Sequence, residues 1–92
     1  MIRITARDES TTMRLFLEGK LAGPCVGELE KCWLTSSAKV QIVVDLTSVS
    51  FIDESGKLLL TRMSQAGITL FSTRLMTKCL IEQIQKEITK AT

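Results

Sequence analysis

The chain opens on alternation. Ile2, Ile4 and Ala6 alternate with Arg3, Thr5 and Arg7, the period of a half-buried strand. The polar run Asp8-Glu9-Ser10-Thr11 reads as a turn, after which Met13, Leu15 and Leu17 alternate with Arg14, Phe16 and Glu18. Two strands joined this closely predict a hairpin, ending near Gly19. Gly23-Pro24 starts a helix, because proline at the first helical position forfeits no hydrogen bond. Val26, Leu29 and Trp33 fall on its inner face, and Ser36-Ser37 closes it. Val40 to Leu46 is nearly all apolar and β-branched, the composition of a central strand.

Asp53 is a suitable N-cap for a second helix from about Glu54 to Ala66, with Gly67 as its stop. Leu59, Met63 and Ala66 form the expected core stripe. Leu58, Leu59 and Leu60 cannot all face one core, so Leu58 or Leu60 is expected at the surface, available as a partner anchor. Ile68 to Phe71 is a short strand. A third helix follows from about Thr73, with Met76, Leu80, Ile84 and Ile88 inward and Lys78, Glu82 and Lys86 outward. The order β-β-α-β-α-β-α predicts an α/β fold: a small mixed β-sheet packed by helices, with parallel neighbours joined by crossovers.

Length and composition narrow the function. The 92 residues make one domain, 1–92, with 45% hydrophobic and 24% charged residues and no repeat or low-complexity segment. Net charge is +2, with both signs interspersed, which offers no electrostatic case for nucleic acid. Arg3, Arg7 and Arg14 read as a solvated strand face, with a nucleotide or anionic-lipid role as the alternative. No apolar run approaches a membrane span, so no membrane insertion is expected. The alternating N-terminus lacks the apolar region of a signal peptide, which leads us to expect a cytoplasmic protein.

Three cysteines, an odd number, do not make a disulfide framework. Cys25 and Cys32 on one helix are roughly 10 Å apart at 1.5 Å per residue, beyond bridging distance. All three are expected to be buried small hydrophobes. Trp33 is expected in the core, with an interface anchor as the alternative. Histidine is absent, which removes the commonest general base and metal ligand. We therefore expect no metal, no cofactor and no enzymatic activity. A small enzyme or nucleotide-binding protein using Asp53 and Ser55 is the contrary reading, but no phosphate-cradling GxxxxGK[ST] loop is present.

The segment with most chemistry is Val43-Val44-Asp45-Leu46-Thr47-Ser48-Val49-Ser50-Phe51-Ile52-Asp53-Glu54-Ser55-Gly56. A buried strand leads through a short loop to a helix start, where open α/β sheets collect their sites. Ser55 would lie in the first helical turn, near free N–H groups and the positive end of the helix dipole, with Gly56 leaving that turn sterically open. Phosphorylated, Ser55 would gain about −1.5 to −2 charges at pH 7, tolerated by the helix terminus but repelled by Asp53 and Glu54. A partner face built for a neutral serine would then release. Capping chemistry alone is the plainer alternative.

This segment resembles the signature of STAS domains, the fold of bacterial anti-sigma factor antagonists, in which a V-V-D-L strand precedes a loop ending F-x-D-S-S-G. Leu17-Glu18-Gly19-Lys20-Leu21 is similar to the family's L-x-G-x-L passage, and Gly67-Ile68-Thr69-Leu70 to its later strand. The resemblance spans about residues 12 to 88. It implies a STAS-like fold and a phosphorylatable protein-binding switch. In that family the serine before the glycine is phosphorylated by an anti-sigma factor with serine kinase activity, which the unphosphorylated form binds, and a serine phosphatase resets it; the resemblance makes Ser55 the expected phosphoacceptor here. The implied partner surface is the loop Ser48, Ser50, Phe51 and Ile52, with Asp53, Glu54, Ser55, Gly56, Lys57 and Leu58 of the helix start. This chain departs from the pattern at Glu54, where the family has serine, at Ala22, where it has aspartate, and at Lys57, where an apolar residue is common. Lys57 could pair with Glu54 or with a phosphate on Ser55. STAS-like proteins also act as constitutive scaffold subunits of larger complexes, including lipid-transporting ABC systems and stress-signalling complexes. That is the alternative function.

Overall fold

A computed structural model describes residues 2–9, 11–35 and 41–90, with 87–90 as backbone. The elements are β1 (Ile2–Glu9), β2 (Thr12–Leu21), α1 (Pro24–Thr35), β3 (Gln41–Ile52), α2 (Glu54–Gln65), β4 (Thr69–Phe71) and α3 (Leu75–Lys90). They form a small α/β fold in the expected order, with one four-stranded mixed sheet ordered β1-β2-β3-β4. β1 pairs antiparallel with β2, while β2–β3 and β3–β4 are parallel. Met1, Ser10, the expected helix stop at Ser36-Ser37, and Val40 lie outside the described residues.

Both parallel connections step the same way across the sheet. Crossovers of this kind are right-handed, so α1 and α2 fall on one face. The core agrees: Leu15, Leu17, Ile42, Val44 and Leu46 from the sheet meet Leu29, Leu59, Leu60, Met63, Ile81 and Ile84 from the helices in a single cluster. The opposite face carries no helix among the described residues. There Asp45 is buried, accepting from the Thr47 N–H at 3.0 Å, with the Arg14 guanidinium 3.7 Å away. Arg14 also lies over the Phe16 and Phe71 rings and reaches Glu9 at 3.9 Å. Arg3 and Arg7 are exposed as expected, whereas Arg14 is half-buried in this network.

Several sequence expectations need correction. β3 does not stop at Leu46 but continues to Ile52, because two register shifts against β2 insert extra residues and break its alternation. α3 begins at Leu75, and its inner stripe is Thr77, Ile81 and Ile84, with Leu80 half-buried and Met76 87% exposed. Strict i, i+4 spacing drifts by roughly 40° a step on a 3.6-residue helix, which carries Met76 off the buried face. The Ile88 side chain lies outside the description. Ala66 is exposed as the C-cap of α2, and the buried residues of that helix are Gly56, Leu59, Leu60 and Met63. The cysteines are not buried: Cys25 and Cys32 are half-buried and Cys79 is exposed. Trp33 and Val26 are also only half-buried, packed against the core beside the fully buried Leu29.

Gly67 ends α2 as expected, with a physical reason. At φ +93° it supplies the left-handed residue that lets its own N–H reach the Ser64 carbonyl and the Ile68 N–H reach that of Met63, both at 3.0 Å. The buried side chains of Ile68 and Met63 complete that cap.

Candidate functional site

Three chain segments meet at the start of α2: the end of β2, the turn into α1 and the end of β3. Asp53 ties them together. Its Oδ1 accepts from the Gly56 N–H at 2.8 Å, capping α2, and its Oδ2 accepts from the Gly23 N–H at 3.0 Å. Its own N–H donates to the Leu21 carbonyl at 3.2 Å. The Gly23 and Gly56 donors hold the Asp53 carboxyl below its ordinary value of 3.8, against a smaller opposing effect of burial. Nearby, the Ser50 hydroxyl donates to the Gly19 carbonyl at 3.2 Å.

Gly56 belongs to the same junction, and its role differs from the expected one. It does not open the turn to solvent: a Cβ there would lie 2.6 Å from the Leu21 carbonyl oxygen and 3.0 Å from Ile52 Cγ2. The missing side chain lets α2 seat directly on the end of β2. Buried on that side, the first turn presents Glu54 and Ser55 to solvent on the other.

The sequence-derived surface thus separates into two groups. Phe51 (53% exposed), Glu54, Ser55 and Leu58 (65% exposed) face solvent, as do Ser48 and Ser50 on β3. Ile52, Asp53 and Lys57 are half-buried and Gly56 is buried. Of the two leucines considered for exposure, it is Leu58 that faces solvent, while Leu60 is fully buried.

The structure adds a neighbour that sequence reasoning missed. The end of β3 and the start of α3 enclose a groove of about 550 Å³, lined on one wall by Phe51 and Ile52 and on the other by Arg74, Leu75, Met76 and Leu80. The Arg74 guanidinium bridges to the Val49 carbonyl at 3.3 Å, and the Thr73 N–H donates to Thr47 Oγ1 at 3.2 Å. Leu75 is 77% exposed, so together with Met76 and Phe51 it forms an apolar rim next to Ser55's segment. Phasing α3 on Thr77, Ile81 and Ile84 would have revealed Met76 as a surface residue. Among the described residues no group of three His, Cys, Asp or Glu side chains could hold a metal, and no helix is long and apolar enough to cross a membrane.

No family model matches this chain, and no curated protein matches it. A solved structure of a protein named Mglu is similar over 76% of this chain, with a TM-score of 0.57 and 19% identity. The match covers 19% of that chain, so this protein spans about a fifth of its length. A likeness at this identity shows the fold: a small α/β unit with a mixed sheet.

Proposed function

We propose that this protein is a binding module of the STAS kind, acting as an anti-sigma factor antagonist whose attachment to a kinase-type anti-sigma factor is controlled by phosphorylation of Ser55. The observation that carries the reading is the exposure of Ser55 on the first turn of α2, with exposed apolar side chains before and after it in the chain, at Phe51 and at Leu58 one helical turn on. A protein partner covering those side chains would bury the Ser55 hydroxyl with them. A phosphate adds about −1.5 to −2 charges there, beside Glu54, and a contact suited to a neutral hydroxyl becomes one that must desolvate a dianion. The helix terminus stabilises the phosphate on the free protein. Release is therefore favoured twice.

The test is intact-protein mass spectrometry after incubation with ATP and a lysate of the source organism, with Ser55→Ala alongside. One phosphate gained by the native chain and absent from the variant is the expected result. Absence of phosphate, under conditions that modify a control substrate, overturns the phosphorylation step.

A second reading has its own observation. The rim formed by Phe51, Leu75 and Met76 stays apolar whatever the state of Ser55, which suits a constitutive scaffold subunit in a larger complex. A complex that survives purification and is indifferent to Ser55→Asp favours that role.

A further inference from the structure

β1 is an edge strand of eight residues, paired only with β2 among the described residues. Edge strands of this length are ordinarily shielded by proline, a bulge, a covering element or charge, because their free N–H and C=O groups template pairing with another chain. β1 contains no proline, and its register with β2 runs unbroken from Ile2↔Gly19 to Glu9↔Thr12. Its charges are of both signs, so they can attract a second copy as readily as repel it. Its inner row is covered only at one end, with Ile2 buried, Ile4 half-buried and Ala6 exposed.

We propose that β1 is a self-association edge, through which two copies of this chain pair antiparallel about a two-fold axis at Ala6 and join their sheets into one. The charge pattern selects that register. Residues facing each other across such an axis lie on the same side of the sheet, so the axis passes through a residue. An axis at Thr5 sets Arg3 opposite Arg7 of the second copy, twice, which is repulsive. An axis at Arg7 sets that residue against itself, and an axis at Ile4 pairs only residues 2 to 6. The axis at Ala6 pairs residues 3 to 9 and sets Arg3 opposite Glu9 of the second copy, twice, with Thr5 opposite Arg7. Arg3 already faces Glu18 within its own chain, so the row reads Glu18, Arg3, then Glu9 of the second copy. On the inner side the two-fold brings Ala6 against Ala6, the smallest pair the strand can offer, at a position that is exposed. Ile4 and Asp8 face each other on either side of it. β1 lies two strands away from β3, so this edge leaves Ser55 free.

Charge exchange tests the register. Sedimentation equilibrium of the full chain should give a dimer. Arg3→Glu sets two carboxylates against each other at both ends of the paired segment, and Glu9→Arg sets two guanidinium groups there. Each variant alone should therefore self-associate about tenfold or more weakly. An equimolar mixture of the two restores opposite charges at both positions and should dimerise as the native chain does. Independently of any variant, β1 amide protons of the native protein should exchange more slowly as its concentration rises. A native chain that remains monomeric overturns the proposal. So does a mixture no tighter than its components, or β1 exchange that ignores concentration.

Discussion

At the scale of single residues, the junction depends on one absent side chain and one carboxylate. Gly56 has no room for a Cβ, and the atom it would strike is the Leu21 carbonyl oxygen, which is backbone and already accepts from the Asp53 N–H. Rotamer adjustment cannot relieve that clash. Gly56→Ala should therefore destabilise the fold by about 1–3 kcal/mol, the usual cost of overpacking, even though alanine is the better helix former. Urea unfolding decides it, and an unchanged midpoint would show that the helix start has slack. Asp53 makes a pH prediction. Its backbone donors favour the ionised form, so its folded pKa lies below 3.8. Its stabilising contribution is therefore fully present above the unfolded value and is lost as pH falls through the folded one. Asp53→Asn keeps an acceptor for Gly56 but no charge, so it should melt lower than the native chain at neutral pH. That gap should hold down to roughly pH 5 and close at more acid pH. A gap of constant size at every pH would locate the effect elsewhere.

Among elements, α2 shows which sequence signals are sufficient. Its limits were legible, because Asp53 as N-cap and Gly67 at positive φ act through local backbone chemistry that needs no tertiary partner. Its buried face was only partly legible. The run Leu58-Leu59-Leu60 leaves the helix phase open, and contact with both the sheet and α3 decides it. Leu60 is fully buried and Leu58 is 65% exposed, so two identical truncations should part company. Leu60→Ala should cost about 2–5 kcal/mol, and Leu58→Ala should stay within about 0.5 kcal/mol. Comparable losses in thermal melts would mean that the helix is phased differently. β3 and α3 were less legible for related reasons. A period-2 reading fails once bulges insert residues, as they do between Phe16/Glu18 and Gly19/Lys20 of the partner strand. An i, i+4 reading fails once helical drift accumulates, as it does between Met76 and Ile84.

Across the whole molecule, topology concentrates the site. Crossovers of one hand place α1 and α2 on one face, and the end of β3, which leads into α2, lines a groove with the start of α3. Ser55 and its flanking segment could be read from a strand followed by a helix start. The Arg74–Met76 wall could not, because it joins the site only through the fold, more than twenty positions from Phe51. The proposed switch requires folding and partner binding to be separable at Ser55, and that separation is measurable. The Ser55 side chain is exposed and outside the core, so Ser55→Ala and Ser55→Asp should each alter stability by no more than about 0.5 kcal/mol, or about 2–4 °C in Tm for a domain of this size. The added aspartate charge meets Glu54, but the helix dipole offsets the repulsion. Partner affinity should behave otherwise. Ser55→Ala should bind as the native chain does, while Ser55→Asp, carrying only part of a phosphate's charge, should bind about tenfold or more weakly. Melts and binding isotherms on the same samples separate the causes. Equal Tm with unequal binding locates the effect at the contact itself. Equal Tm with equal binding removes the charge switch and leaves the apolar rim as the basis of a constitutive interface. A variant that binds poorly and also melts well below the native chain would instead show that Ser55 is part of the junction's stability.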